Sequence, residues 1–183
     1  ETYKLSLKNL GAGINIVQDK AGDSKMGLTQ INLSLASHIS LSASNRLSAG
    51  LLFGMAQRTI DYTDLKFQNQ YNGYAYSSSA NTGENFTQDN FVYGDAGAGI
   101  NWSFGKGDMY ASANNAIRIS AGYSCYHINQ PKQSFLGNSA EKLFRRNNFY
   151  ASASFGIKNT PFSIAPAFSF SQQGTSRELI FGT

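Results

Sequence analysis

Along most of this chain apolar and polar residues alternate with a period of two. From Ile31 to Leu41 the odd positions hold Ile31, Leu33, Leu35, Ser37, Ile39 and Leu41, and the even ones Asn32, Ser34, Ala36, His38 and Ser40. Successive side chains of a strand point to opposite faces, so this spacing predicts a strand with one apolar and one polar face. Leu47 to Ile60 repeats the plan, with Leu52 as the exception, and the polar run Ser42 to Arg46 between the two segments predicts a hairpin. Phe91 to Phe104, Ile117 to Ile128, Phe149 to Lys158 and Phe162 to Phe170 follow the same pattern, giving near-complete strands and then a last run, Leu179 to Thr183, that reads as a strand just beginning.

The polar face separates two all-β readings. A soluble sandwich meets bulk water with Lys, Glu and Thr. Here that face carries Gly, Ser, Ala and Asn, with single charged or titratable residues: His38, Asp95, Arg118 and Lys158. Small side chains suit the confined interior of a transmembrane barrel, whose apolar face meets lipid. The repeated pentapeptide GAGIN, at Gly11 to Asn15 and Gly97 to Asn101, belongs to this pattern. A dinucleotide loop needs a third glycine and a following helix, and neither copy has them. GAGIN therefore reads as a strand segment with glycines on the polar face. The clusters Lys20 to Asp23 and Lys106 to Asp108 that follow supply turns.

Connections support the barrel. They fall at Asp19 to Lys25, Ser42 to Arg46, Asp61 to Asn90, Gly105 to Asn115, Pro131 to Arg146, Asn159 to Pro161 and near Gly174, and the long ones lie on one side. Outer-membrane barrels have short periplasmic turns and longer extracellular loops. Two features run against this: the first turn on the long side is short, and Pro166 sits in a strand, where it removes a ladder donor. Aromatic residues near strand ends, Tyr62, Phe91, Tyr93, Trp102, Phe104, Tyr123, Tyr126, Phe149 and Tyr150, are expected to form an interfacial girdle.

Composition agrees: charged residues are 14% of the 183, against about 25% in typical soluble domains, while the hydrophobic share is 41%. No apolar run reaches the roughly 20 residues of a membrane-spanning helix. The net charge of +4 is scattered apart from Arg145 and Arg146, which argues against nucleic acid as a partner. With two histidines and one cysteine, the most a metal site can draw on is Cys125 and His127, which would share a strand face but lack further ligands. No G-x-S-x-G elbow occurs. The carboxylates Asp61, Asp64, Glu84 and Asp89 of the long loop read as solvated loop residues rather than a glycosidase pair. No catalytic residue, metal or cofactor is expected. The same loop is rich in Tyr, Asn, Ser and Gly, the composition of adaptable contact surfaces, which makes Tyr71, Tyr74 and Tyr76 candidate partner contacts.

One run is more specific: the strand from Ser120 ends in His127-Ile128-Asn129-Gln130-Pro131-Lys132-Gln133-Ser134-Phe135. With GAGINIVQDKAGD, GLLFGMAQRTIDYTDL, QYNGYAY and NTPFSIAPAFSFSQQG in the same order, the chain resembles the PorP/SprF family of type IX secretion system membrane proteins of Bacteroidota. The resemblance covers nearly the whole chain. It implies an antiparallel up-and-down β-barrel of about 14 strands, without enzymatic activity, in the outer membrane of a Gram-negative (Bacteroidota) cell. The implied partners are outer-membrane lipid, the periplasmic and outer-membrane components of the secretion and gliding-motility machinery, and secreted cargo such as large adhesins. Relative to such proteins residues 1–183 form a single partial barrel domain, with N-terminal and C-terminal strands expected outside it. His127, Asn129, Gln130, Pro131, Lys132 and Phe135 form the family-motif loop, a candidate partner contact whose structural explanation is that Pro131 ends the strand and Phe135 packs the loop over the barrel mouth. The alternative function is an outer-membrane channel for a small hydrophobic or polar solute. A secreted sugar-binding sandwich is disfavoured by the chemistry of the faces.

Overall fold

A computed structural model of the chain describes residues 9–63, 65–84, 88–107, 109–110, 113–135 and 141–183. The long strands are β1 (Leu10–Ala21), β2 (Met26–Ser40), β3 (Asn45–Thr59) and β4 (Asn90–Lys106). Two short strands, β5 (Met109–Tyr110) and β6 (Ala113–Asn114), pair with each other before β7 (Ile117–Tyr126) and β8 (Arg146–Gly156). The chain finishes with β9 (Ser163–Ile164), β10 (Ala167–Gln173) and β11 (Ser176–Gly182). The main sheet is antiparallel and up-and-down, in the order β1-β2-β3-β4-β7-β8-β10-β11, with β9 beside β8. β1 and β11 form its two edges and do not pair with each other, so the described sheet is open.

Register keeps the two faces separate across the sheet. The apolar row Ile14, Leu33, Phe53 and Ala96 is formed by successive cross-strand partners, as is Leu47, Trp102, Ala121 and Ala151. A slip of one residue would mix these rows with the polar ones, which is why the alternation in sequence fixes the pairing. The apolar residues remain exposed: Ile14, Ile31, Leu51, Phe53, Val92 and Ile100 each keep about half or more of their surface. The polar face is the sheltered one, with Ala56, Asp95, Gly97 and Gly122 buried on it. From Val92 to Trp102 the apolar face runs for ten residues, about 33 Å of strand at about 3.3 Å each; at the tilt of about 40° that barrel strands have, this length would match the roughly 25 Å of a lipid-facing band.

Several expected boundaries move. The last run is not a strand just beginning: Leu179 to Gly182 are the later part of β11, of seven residues, each paired with β10, and Thr183 follows it. Phe162 to Phe170 is broken at Pro166, which has no N–H to donate; its carbonyl accepts from Ala153 N at 2.9 Å, and pairing resumes at Ala167. β8 ends at Gly156, so Lys158 stands in the exposed turn beyond it rather than on a strand face. The girdle is thinner than expected. Phe91, Tyr93, Tyr126 and Tyr150 share the inner face with Arg58, Ala56, Arg146 and Gly122, their register partners. Trp102, Tyr123 and Phe149 stand on the outer face, and Tyr123 reaches the polar edge through a 2.7 Å hydrogen bond from its hydroxyl to Asn147 Oδ1.

Candidate functional site

Two regions carry the candidate residues: the wall of the inner face and the loops at the end of the sheet where β3, β4, β7 and β8 are joined by residues 60–89 and 127–145. On the wall, glycines make room for tyrosines from the next strand. A Cβ on Gly122 would stand 2.5 Å from Tyr150 Cε1, and one on Gly97 would stand 3.3 Å from Tyr126 Cδ1. Tyr150 lies across the glycine and donates to Asn101 Oδ1 at 2.8 Å, an oxygen that also accepts from Ser120 Oγ at 3.1 Å. An aromatic ring over a strand glycine covers backbone that would otherwise be bare. The glycines of the second GAGIN thus serve close packing on the inner wall. In the first copy Gly11 and Gly13 lie on the same face, opposite Ala36 and Ser34.

The motif loop is tied to the wall residue by residue. β7 stops at Tyr126, and His127 turns back with φ of +56°. This puts His127 Nδ1 2.9 Å from Asp95 Oδ2, with the His127 side chain one-fifth exposed and that of Asp95 almost fully buried. The expected sharing of a face by Cys125 and His127 is therefore corrected: the reversed backbone sends the histidine to the inner face, whereas Cys125 stays opposite Ala98 and Asn147. Asn129 then continues the ladder with its side chain. Its Nδ2 donates to Gly94 O at 2.7 Å and its Oδ1 accepts from Ala96 N at 3.3 Å. Gln130, also at positive φ, closes a turn onto His127 O, and Pro131 is buried.

Beyond Pro131 the loop doubles back, with Lys132 bridged to Lys142 and Gln133 N donating to Glu141 O at 3.0 Å. With its carbonyl turned to Arg58 of β3, the Gln133 amide accepts from Nε at 2.8 Å and Nη2 at 3.3 Å. Phe135 packs edge-on against Phe91 at 4.8 Å between ring centroids, and Gln88 Nε2 donates to Ser134 O at 2.7 Å. Sequence reasoning did not find Asp95 as the partner of His127, nor Arg58 and Gln88 as anchors. Only the unusual backbone at His127 brings the first pair together, and nothing in the local pattern signals it.

The tyrosines lie at the tip of a small hairpin within the long loop. Tyr71 and Tyr76 form an antiparallel bridge around a turn in which Asn72 Oδ1 accepts from Tyr74 N and Ala75 N, and Gly73 has φ of +94°. Buried Gln70 holds the base of the hairpin: Oε1 accepts from Phe67 N and Nε2 donates to Ala80 O. Tyr74 is 95% exposed, and Tyr71 and Tyr76 are about half exposed, with Lys66 Nζ over the Tyr76 ring. At the base of the loop, Asp61 accepts from Thr63 through both its amide and its hydroxyl, and from Lys25 Nζ at 3.2 Å. These bonds, the Thr63 hydroxyl first, lower its carboxyl to about 2. Asp64 and Asp108 lie outside the described residues. His38 Nδ1 is 2.8 Å from Ser48 Oγ on the strand wall, and Arg118 lines the inner face near the short turns.

A family model described as type IX secretion system membrane protein PorP/SprF matches residues 2–182. The chain belongs to the PorP/SprF family. No curated protein and no solved structure matched it. PorP/SprF chains are membrane components of the type IX secretion system, and the apolar face of this sheet is exposed. No helix among the described residues is long and apolar enough to cross a membrane. The loop from His127 to Phe135 is tied to the end of the sheet through Asp95, Arg58, Gln88 and Phe91, and among the described residues Tyr74 is the most exposed large aromatic side chain.

Proposed function

We propose that this PorP/SprF chain is part of a non-enzymatic outer-membrane β-barrel that assists the export or surface anchoring of secreted proteins, large adhesins among them. The observation that carries this reading is the pairing of an exposed apolar sheet face with long loops gathered at one end. Strands in lipid satisfy their backbone only within a closed barrel, so the open edges at β1 and β11 call for further strands. Long loops of such barrels face outward, which puts the tyrosine hairpin and the motif loop on the cell surface. Rigid, exposed tyrosines give large contact area at small entropic cost. The motif loop, held by Asp95, Arg58 and Phe91, stands at the same end of the sheet.

The test is affinity purification of the tagged full-length protein from native outer membranes in mild detergent, with co-purifying proteins identified by mass spectrometry. A secreted adhesin or type IX components should be recovered in near-stoichiometric amount, and a Tyr71→Ala, Tyr74→Ala, Tyr76→Ala variant should lose the secreted protein while still reaching the membrane. Recovery of the barrel alone, together with solute flux through it, would replace this reading with the channel.

A further inference from the structure

We infer that the inner face at the short-turn end is a binding site for an acidic peptide segment. Successive cross-strand partners Ser40, Arg46, Ser103, Ser120 and Ser152 form one inward row across β2, β3, β4, β7 and β8. The next row toward the turns brings Arg118 and Ser154 together, with Gly105 opposite Arg118. A Cβ on Gly105 would meet nothing within 4 Å, so the floor between the two arginines is open. The rows line a cavity of about 570 Å³, within the range of roughly 300–1,000 Å³ of ligand pockets.

Among the described residues its charge is one-sided. Among the described residues neither Arg46 nor Arg118 has a carboxylate within salt-bridge distance, and no hydrogen bond occupies either guanidinium. Described Asp and Glu side chains all belong to the long-loop half of the sheet and its loops, whereas Lys106 and Lys158 join the arginines at the short-turn end. Guanidinium groups bind carboxylates through paired N–H donors, and the serine hydroxyls supply further donors. A peptide reaches such an end-open cup, and several acidic side chains would engage both arginines at once. The inference rests on the proposed function in one respect: the short turns face the periplasm, from which a protein in transit would present the segment.

The test uses the intact protein in detergent micelles and fluorescence anisotropy with a labelled glutamate-rich octapeptide, beside the same peptide with every Glu replaced by Gln. Binding should be confined to the acidic peptide and weaken steeply with salt. Arg46→Gln and Arg118→Gln should each weaken it about tenfold and the pair about a hundredfold, while Lys20→Gln, at the long-loop end of β1, leaves it unchanged. Salt dependence of the unaltered protein reads the same chemistry should the double variant fail to fold. Equal binding of both peptides, or an unchanged affinity in the double variant, overturns the site. Displacement by millimolar inorganic phosphate would reassign it to small anions, and displacement by anionic phospholipid vesicles but not by phosphate would reassign it to lipid; either refutes the peptide. Because the measurement needs no native partner, its failure is distinct from a failure of co-purification.

Discussion

Leu51→Arg is the substitution on which the membrane reading makes its largest demand. Leu51 stands on the outer face between Leu35 of β2 and Ala98 of β4, half-exposed and midway between Leu47 and Met55. Four residues at about 3.3 Å, tilted by about 40°, separate it from Leu47, or roughly 10 Å along the membrane normal. An arginine at the middle of a barrel's lipid face costs about 2–4 kcal/mol and near the interfaces about 0–1 kcal/mol. On a face exposed to water the same change would stay within about 0.5 kcal/mol. Reversible urea unfolding of the full-length protein in phospholipid vesicles, for Leu47→Arg, Leu51→Arg and Met55→Arg, should give a profile peaking at Leu51. A flat profile, or Leu51→Arg within about 0.5 kcal/mol of the unaltered protein, would refute the argument from the apolar band.

Further predictions concern the inner wall and the loops. Gly122→Ala places a Cβ against the Tyr150 ring and should destabilise by about 1–3 kcal/mol as an overpacked site; combining it with Tyr150→Ala should recover part of that loss, read as a coupling in the same unfolding assay. His127→Ala strips the partner from the buried Asp95 carboxylate and should cost about 3 kcal/mol, accompanied by faster proteolysis within residues 127–145. At Asp61 the folded carboxyl titrates at about 2, below its ordinary 3.8. A depressed value adds stability above the unfolded titration and loses it as pH falls through the folded one, so the tether to Thr63 and Lys25 should weaken between pH 3.8 and about 2. Asp61→Asn should remove that pH dependence, followed through the exchange of the Thr63 amide.

What could be read in the sequence was set by the range of the interactions. Face assignment depends only on alternation, and the register carries Ile31, Leu33, Leu35 and Ile39 onto matching outer residues of β3. The grouping of long connections at one end follows from strand count in the same way. Contacts between distant parts of the chain leave no such trace. Tyr126 and Tyr150 read as girdle residues because a Tyr near a strand end has two destinations, and the glycine opposite decides between them. Pro166 was recognisable as a misfit, yet its solution, a strand restarted at Ala167, needed the partner β8. His127 illustrates the limit most plainly: period two continues through it, but a left-handed backbone there ends β7 and aims the ring at Asp95. The serine and arginine cup was legible only as isolated polar positions, because Ser40, Arg46, Ser103, Ser120 and Ser152 come together through register across five strands.

Trp102 is the chain's one tryptophan, and it stands on the outer face toward the short-turn edge of the apolar band, about one-third exposed and stacked on Phe104. Its fluorescence in vesicles of brominated phosphatidylcholine therefore reports directly on whether this face meets lipid. Bromine carried along the acyl chains should quench it strongly, most from positions near the headgroup, while aqueous iodide quenches it little. Strong quenching by iodide with no response to any brominated lipid would contradict the claim that the apolar face of this sheet lies in the membrane.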